Sequence, residues 1–157
     1  MGMDVMGRKP TSDVGSYFRN NIWWWRPLWD YCCAVAHGLI DEETANGGHF
    51  NEGHGLNADA AAALADILFR EVQSGRSARY AQLRDERIEG LPQDPCWLCE
   101  GTGKRKEPPD IGAGESACNG CSSTGIQNSA ETWYSFSVEN VLKFSRFCKE
   151  SGGFEIW

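Results

Sequence analysis

Four cysteines carry the clearest chemistry in this chain. They stand as two Cys-x-x-Cys pairs, Cys96/Cys99 and Cys118/Cys121, with 18 residues between the pairs. A tetrahedral Zn²⁺ takes four soft ligands, and each pair offers two thiolates from one tight turn. The spacing lies in the range that reads as a zinc site, and the intervening stretch is long enough to fold back on the first pair. Two disulfides or four idle thiols are the bland alternative. Iron in a rubredoxin-like tetrahedron is the rival metal, because thiolates accept both. Gly101, Gly103, Gly120 and Gly125 are expected at positive φ, where the backbone turns sharply to aim amides at sulfur. Four protein ligands fill zinc's coordination, so the expected metal is a single structural Zn²⁺ with no open position for water.

The elements that must position this hairpin read as an α+β domain covering residues 1–157, with 96–125 inserted as the four-cysteine zinc hairpin. Met3 and Val5 mark a short strand, and Lys9-Pro10-Thr11-Ser12 a turn. Pro27 at a first helical position and Gly38 beyond the end bracket a helix over 27–37. Its interior is apolar on almost every side, which predicts a buried central helix. From Asp41 to Asn57 the chain turns polar and glycine-rich and reads as a long loop. Asn57 caps a predicted helix over 58–74, and a more charged helix follows over 77–89. Leu91-Pro92-Gln93-Asp94-Pro95 is a stiff entry to the hairpin. After it, Ile126, Trp133, Tyr134 and Phe136 suggest a short strand, and Ser137 caps a last helix over 138–150. The alternating Phe154-Glu155-Ile156-Trp157 reads as a terminal strand pairing near Val5.

Three further groups compete for a functional role. Trp23, Trp25 and Arg26 are residue types enriched at binding hot spots, although indoles beside a buried helix mostly pack in cores. Lys104-Arg105-Lys106, the uninterrupted basic triplet, reads as a solvated hairpin tip or as a contact finger held out by the metal. His37, His49 and His54 lie in or near the glycine-rich loop, where nothing completes a recognised ligand set, and read as exposed loop histidines. Of the seven cysteines, Cys32, Cys33 and Cys148 are expected to be free thiols.

The motifs also carry two resemblances. CWLCEGTG (96–103) is a full Cys-x-x-Cys-x-Gly-x-Gly repeat and resembles the unit of the cysteine-rich domain of DnaJ-type co-chaperones. CNGCSSTG (118–125) departs from it at Ser123, where the first glycine would stand. Those co-chaperones carry four repeats and two zincs; two repeats imply one zinc. With no His-Pro-Asp signature of a J-domain in the chain, the resemblance implies a zinc hairpin and not a chaperone. The opening, 1–32, and the closing stretch, 151–156, resemble a group of short proteins encoded by bacteriophages and prophages. That likeness implies a phage accessory setting in a bacterial host cytosol, with a host or defence-system protein as the natural partner.

Composition narrows the function classes. The formal charge of −7 and a pI near 4.9 argue against broad binding along a phosphate backbone, which needs clustered Lys and Arg. An acidic surface suits a basic partner. MGMDVMGRKP lacks the apolar stretch of a signal peptide, no run is long enough to span a bilayer, and thiols in this number fit a reducing cytosol. There is no Gly-x-Ser-x-Gly elbow, phosphate loop or His-Glu-x-x-His. The expectation is a zinc-stapled binding protein that inhibits a host or defence protein stoichiometrically. A nucleic-acid-associated zinc module and a small His-dependent hydrolase or nuclease are the alternatives.

Overall fold

The computed structural model describes residues 2–157. In chain order its elements are β1 (Gly2–Gly7), α1 (Asp13–Ser16), β2 (Tyr17–Asn21), α2 (Ile22–Val35), α3 (Glu42–Gly47), β3 (Gly55–Leu56), α4 (Ala58–Gln73), α5 (Arg76–Glu89), β4 (Asp94–Pro95), β5 (Lys104–Arg105), β6 (Ser116–Ala117), β7 (Ile126–Gln127), a 3₁₀ turn (Ala130–Trp133), α6 (Val138–Glu150) and β8 (Phe154–Ile156). This mixture of helix and strand is the α+β class that the sequence predicts. The chain forms two compact units, one from Met1–Asp85 with Tyr134–Trp157 and the other from Glu86–Trp133.

The first unit is built on an antiparallel sheet in the order β2-β1-β8-β3. Along β1 the side chains alternate, so Met3 and Val5 are buried between Asp4 and Met6. Val5 lies opposite Phe18 on β2 and Ile156 on β8, which is the pairing of the chain's two ends expected from their alternation. The helix α6 covers this face. Its Phe144 and Phe147 meet Phe18 at 5.0 and 5.7 Å and Phe154 at 5.7 and 5.8 Å between ring centroids. Ser145 donates across to the Ala65 carbonyl on α4 at 2.9 Å, satisfying a hydroxyl that is buried between two helices.

The tryptophan-rich helix starts earlier than Pro27. Asn21 caps it, its side-chain oxygen accepting the Trp24 N–H at 3.1 Å, so α2 runs from Ile22 with Pro27 inside it. A proline there removes the hydrogen bond that would close on the Trp23 carbonyl. That carbonyl instead accepts the Ser135 N–H at 2.9 Å, so the lost helical bond is replaced from a distant part of the chain. Trp25 and Trp29 are fully buried and stack at 5.6 Å, and Trp25 meets Phe144 edge-on at 5.5 Å.

The stretch 41–57 is more ordered than a long loop. Asp41 accepts the Thr44 N–H at 2.7 Å and starts α3, and Gly55–Leu56 adds the last strand of the sheet. The two buried indoles hold α3 in place: Trp25 Nε1 donates to the Gly48 carbonyl at 2.7 Å and Trp29 Nε1 to the Ala45 carbonyl at 2.9 Å. The Gly47-Gly48 pair, which in sequence looks only like a helix breaker, is needed for close approach. A Cβ on Gly47 would fall 2.3 Å from the His54 ring, and one on Gly48 would fall 2.3 Å from the Trp29 ring. The predicted helices over 58–74 and 138–150 appear as α4 and α6, capped by Asn57 and Ser137. The predicted strand after the hairpin stops at Gln127. The Ser129 carbonyl takes both the N–H and the hydroxyl of Thr132, at 3.0 and 2.8 Å, and this local turn competes successfully with extension.

Candidate metal centre

In the second unit, two short ladders, β4 with β7 and β5 with β6, bring the two Cys-x-x-Cys turns face to face. The Sγ atoms of Cys96 and Cys118 are 3.9 Å apart and those of Cys99 and Cys121 3.8 Å, with all four within 4.8 Å of one another. A regular tetrahedron with Zn–S bonds of about 2.3 Å has edges of about 3.8 Å. All four thiols are buried, and Leu98 is the hydrophobic side chain packed against them.

The two turns repeat each other's hydrogen bonds. Gly103 N–H points at the Cys99 sulfur and Gly125 N–H at the Cys121 sulfur, both at 3.3 Å. Thr102 donates to the Cys99 carbonyl at 2.7 Å and Thr124 to the Cys121 carbonyl at 2.6 Å. The turns also clasp one another: Cys96 N–H donates to the Gly125 carbonyl at 2.8 Å, and Cys118 N–H to the Gly103 carbonyl at 3.0 Å. Gly103 and Gly125 have φ of 76° and 78°, and a Cβ on either would sit 2.4 or 2.3 Å from the backbone oxygen of Ser123 or Gly101. Gly101 also has positive φ, but its nearest neighbour would be Pro95 Cβ at 3.5 Å. That slack explains Ser123, which takes the equivalent place in the second turn with φ of 63°. Gly120 plays a different part from the one expected. It is not among the positive-φ positions, and a Cβ there would meet Leu98 at 2.4 Å.

Burial pushes the Cys96 thiol up to about 11. Burial also raises Cys121, but the Gly125 N–H and the neighbouring thiols outweigh it and bring the group down to about 7. Four thiolates this close repel one another unless a cation lies among them, so the cluster suits a metal ion whose charge lets all four ionise. Cys32 and Cys148, by contrast, lie in the apolar core, where burial pushes both thiols well up, and the half-buried Cys33 rises to about 11. None of the three belongs to the cluster. No protein-family model matches this sequence, and neither does any curated protein or solved structure.

The other sequence candidates separate. Trp25 is fully buried and cannot contact a partner, because its indole anchors α3. Trp23 stays exposed against Tyr134, and Arg26 is half-buried. Arg105 is also withdrawn from the proposed contact finger. It lies 8% exposed, with its guanidinium donating to the Lys106 carbonyl at 3.1 Å, Asn119 Oδ1 at 3.0 Å and the Asp110 carbonyl at 3.2 Å. Three acceptors gathered around one guanidinium make Arg105 the internal tie of the hairpin, and Lys104 and Lys106 alone face solvent. The histidines diverge too. His37 is exposed, His49 Nε2 sits 3.1 Å from Asp30, and His54 packs its ring on Gly47, so the last two are held and not loose loop residues. Among the described residues, none of the three enters a group with metal-ligand geometry, and no helix is long and apolar enough to cross a membrane.

Proposed function

We propose that Cys96, Cys99, Cys118 and Cys121 hold one Zn²⁺ as a structural staple, and that the protein works by stoichiometric binding to another protein. The observation that carries this reading is the cluster of four buried thiols, all within 4.8 Å of one another. A metal with four protein sulfurs has no site for a substrate or an activated water, so its contribution is to shape. The net charge of −7 speaks against a nucleic-acid partner. The resemblance of both chain ends to phage-encoded proteins supports a host or defence-system protein as the target and inhibition as the outcome. Affinity capture from bacterial lysate tests the reading. Zinc-loaded protein should retain one partner in one-to-one ratio, and chelator-treated protein should retain less where the hairpin forms part of the contact. Turnover of a substrate by the purified chain, lost when His49 or His54 is replaced by Asn, would overturn it.

A further inference from the structure

The second unit turns its apolar side chains outward. Among the described residues of Glu86–Trp133 there are seven large aliphatic or aromatic side chains, and none is fully buried. Leu98 packs on the cysteines, Ile88 and Leu91 are half-buried, and the other four are exposed. The unit's buried hydrophobic positions are its four cysteines. A unit stapled by a metal does not need the others for folding, so their exposure calls for a reason in binding.

Three of them gather at the first cysteine turn. Trp97 stands between Cys96 and Cys99 and is 55% exposed. Pro95, just before that turn, lies opposite Ile126 in the ladder of β4 with β7, and Ile126 is 46% exposed. Ile111, 53% exposed, precedes Gly112, whose N–H donates to the Leu98 carbonyl at 3.1 Å. An indole carried on a turn that a metal fixes is a preorganised anchor, and tryptophan is enriched at the energetic centres of interfaces.

Charge selects the occupant. The second unit has eight acidic residues and four basic ones, so it carries −4 of the chain's −7 on 48 of its 157 residues. Of the four cations, Arg105 is tied inside the hairpin and Arg87 pairs with Glu131 at 2.7 Å. Asp94 on β4, Glu100 just after the first turn and Asp110 beside Ile111 flank the apolar residues in the chain. Glu100 Oε1 and Lys106 Nζ each lie 3.5 Å from the point a Cβ on Gly112 would take, so Lys106 already has a carboxylate near it. Four thiolates around one divalent ion add further negative charge. Such a surface attracts a basic polypeptide and repels a phosphate backbone.

We infer that the first cysteine turn, with Trp97, Ile111 and Ile126, is the protein-docking surface, and that it takes a basic segment with lysine or arginine beside an apolar side chain. The apolar side chain packs on Trp97, and the cations meet Asp94, Glu100 and Asp110. This rests on the zinc-staple and binding-module reading and names its contact.

The test titrates the full-length, zinc-loaded, isotope-labelled protein with three capped peptides of equal length. One alternates lysine with leucine, one lysine with serine, and one glutamate with leucine. The lysine–leucine peptide should shift the Trp97 indole signal saturably. The lysine–serine peptide should bind at least about tenfold more weakly, and the glutamate–leucine peptide should leave the signal in place. Trp97→Ser and Ile126→Ser should each weaken binding at least about fivefold with zinc content unchanged, since both side chains are exposed. Glu100→Gln should weaken it too, while Phe69→Ser, at an exposed position on α4, should not. Equal binding of either control peptide, shifts confined to the first unit, or a tighter response to single-stranded oligothymidylate would overturn the assignment. A Trp97 shift that grows with protein concentration alone would put a second copy on the surface and overturn it as well. So would a flat titration; if the Trp97→Ser protein still captured a one-to-one partner from lysate, the binding-module reading would stand without this surface. A purified chain that holds no zinc would overturn the staple and this surface with it.

Discussion

Glycine identity in the cysteine turns is set by space as much as by conformation. Gly103→Ala and Gly125→Ala would each push a Cβ into a backbone oxygen at 2.4 or 2.3 Å, on top of a left-handed φ. Each should cost about 1–3 kcal/mol or more in metal-loaded stability, read by competition with a chelator. Gly101→Asn should be nearly silent in the same assay, because that position needs only the positive φ, which asparagine tolerates. Glu71 offers a second residue-scale prediction. Arg76 holds its carboxyl below the ordinary value, against the opposing effect of burial, with the Tyr31 hydroxyl donating to it at 3.0 Å. The folded-state value is depressed, so the stability it confers is present above the unfolded value and is lost as pH falls through the folded one. Glu71→Gln should cost about 1 kcal/mol near neutrality, a modest figure because Arg76 is largely exposed, and should flatten the acid limb of the urea-midpoint profile.

At the scale of elements, α2 and α3 depend on each other through indole N–H groups. Trp25→Phe keeps a ring in the core but orphans the Gly48 carbonyl, and should cost about 1–3 kcal/mol in urea unfolding. Trp29→Ala also opens a cavity and should cost about 3–5 kcal/mol. The half-buried Trp24 should cost less when truncated to alanine. These contacts also show what the sequence could and could not disclose. Asn57 and Ser137 at helix starts, and the alternation of Phe154 and Ile156, are local signals, and α4, α6 and β8 follow from them. The start of α2 was also local, in Asn21, but Pro27 at a favoured first position was the louder signal. The order in 41–57 was not local at all. Asp41 is an ordinary cap, yet Gly47 and Gly48 make sense only once the His54 and Trp29 rings lie against them. The same applies to the candidate sites. That Cys96, Cys99, Cys118 and Cys121 come together was legible from spacing. That Arg105 is an internal tie, and that Arg26 leans on Tyr134, required partners 14 and 108 positions away.

For the whole molecule, the two units have different kinds of core. The first holds a continuous cluster of buried aromatic and aliphatic side chains, whereas the second has its four cysteines with Leu98 against them. A hydrophobic core of that small size does little to offset the entropy of ordering a unit, and on the reading proposed above a metal bound by the four thiols supplies the difference. Chelation should therefore collapse the backbone signals of residues 96–125 in an amide spectrum while those of α4, α6 and the sheet persist. The identity and stoichiometry of the ion decide whether the second unit is a zinc staple. X-ray absorption at the zinc edge, together with metal analysis of the purified chain, should give one zinc per molecule with four sulfur neighbours at about 2.3 Å. That signal should survive replacement of Cys32, Cys33 or Cys148 by Ala and disappear with Cys96→Ser or Cys121→Ser. A red iron-loaded protein, a nitrogen or oxygen neighbour in the first shell, or a folded hairpin free of metal would contradict it.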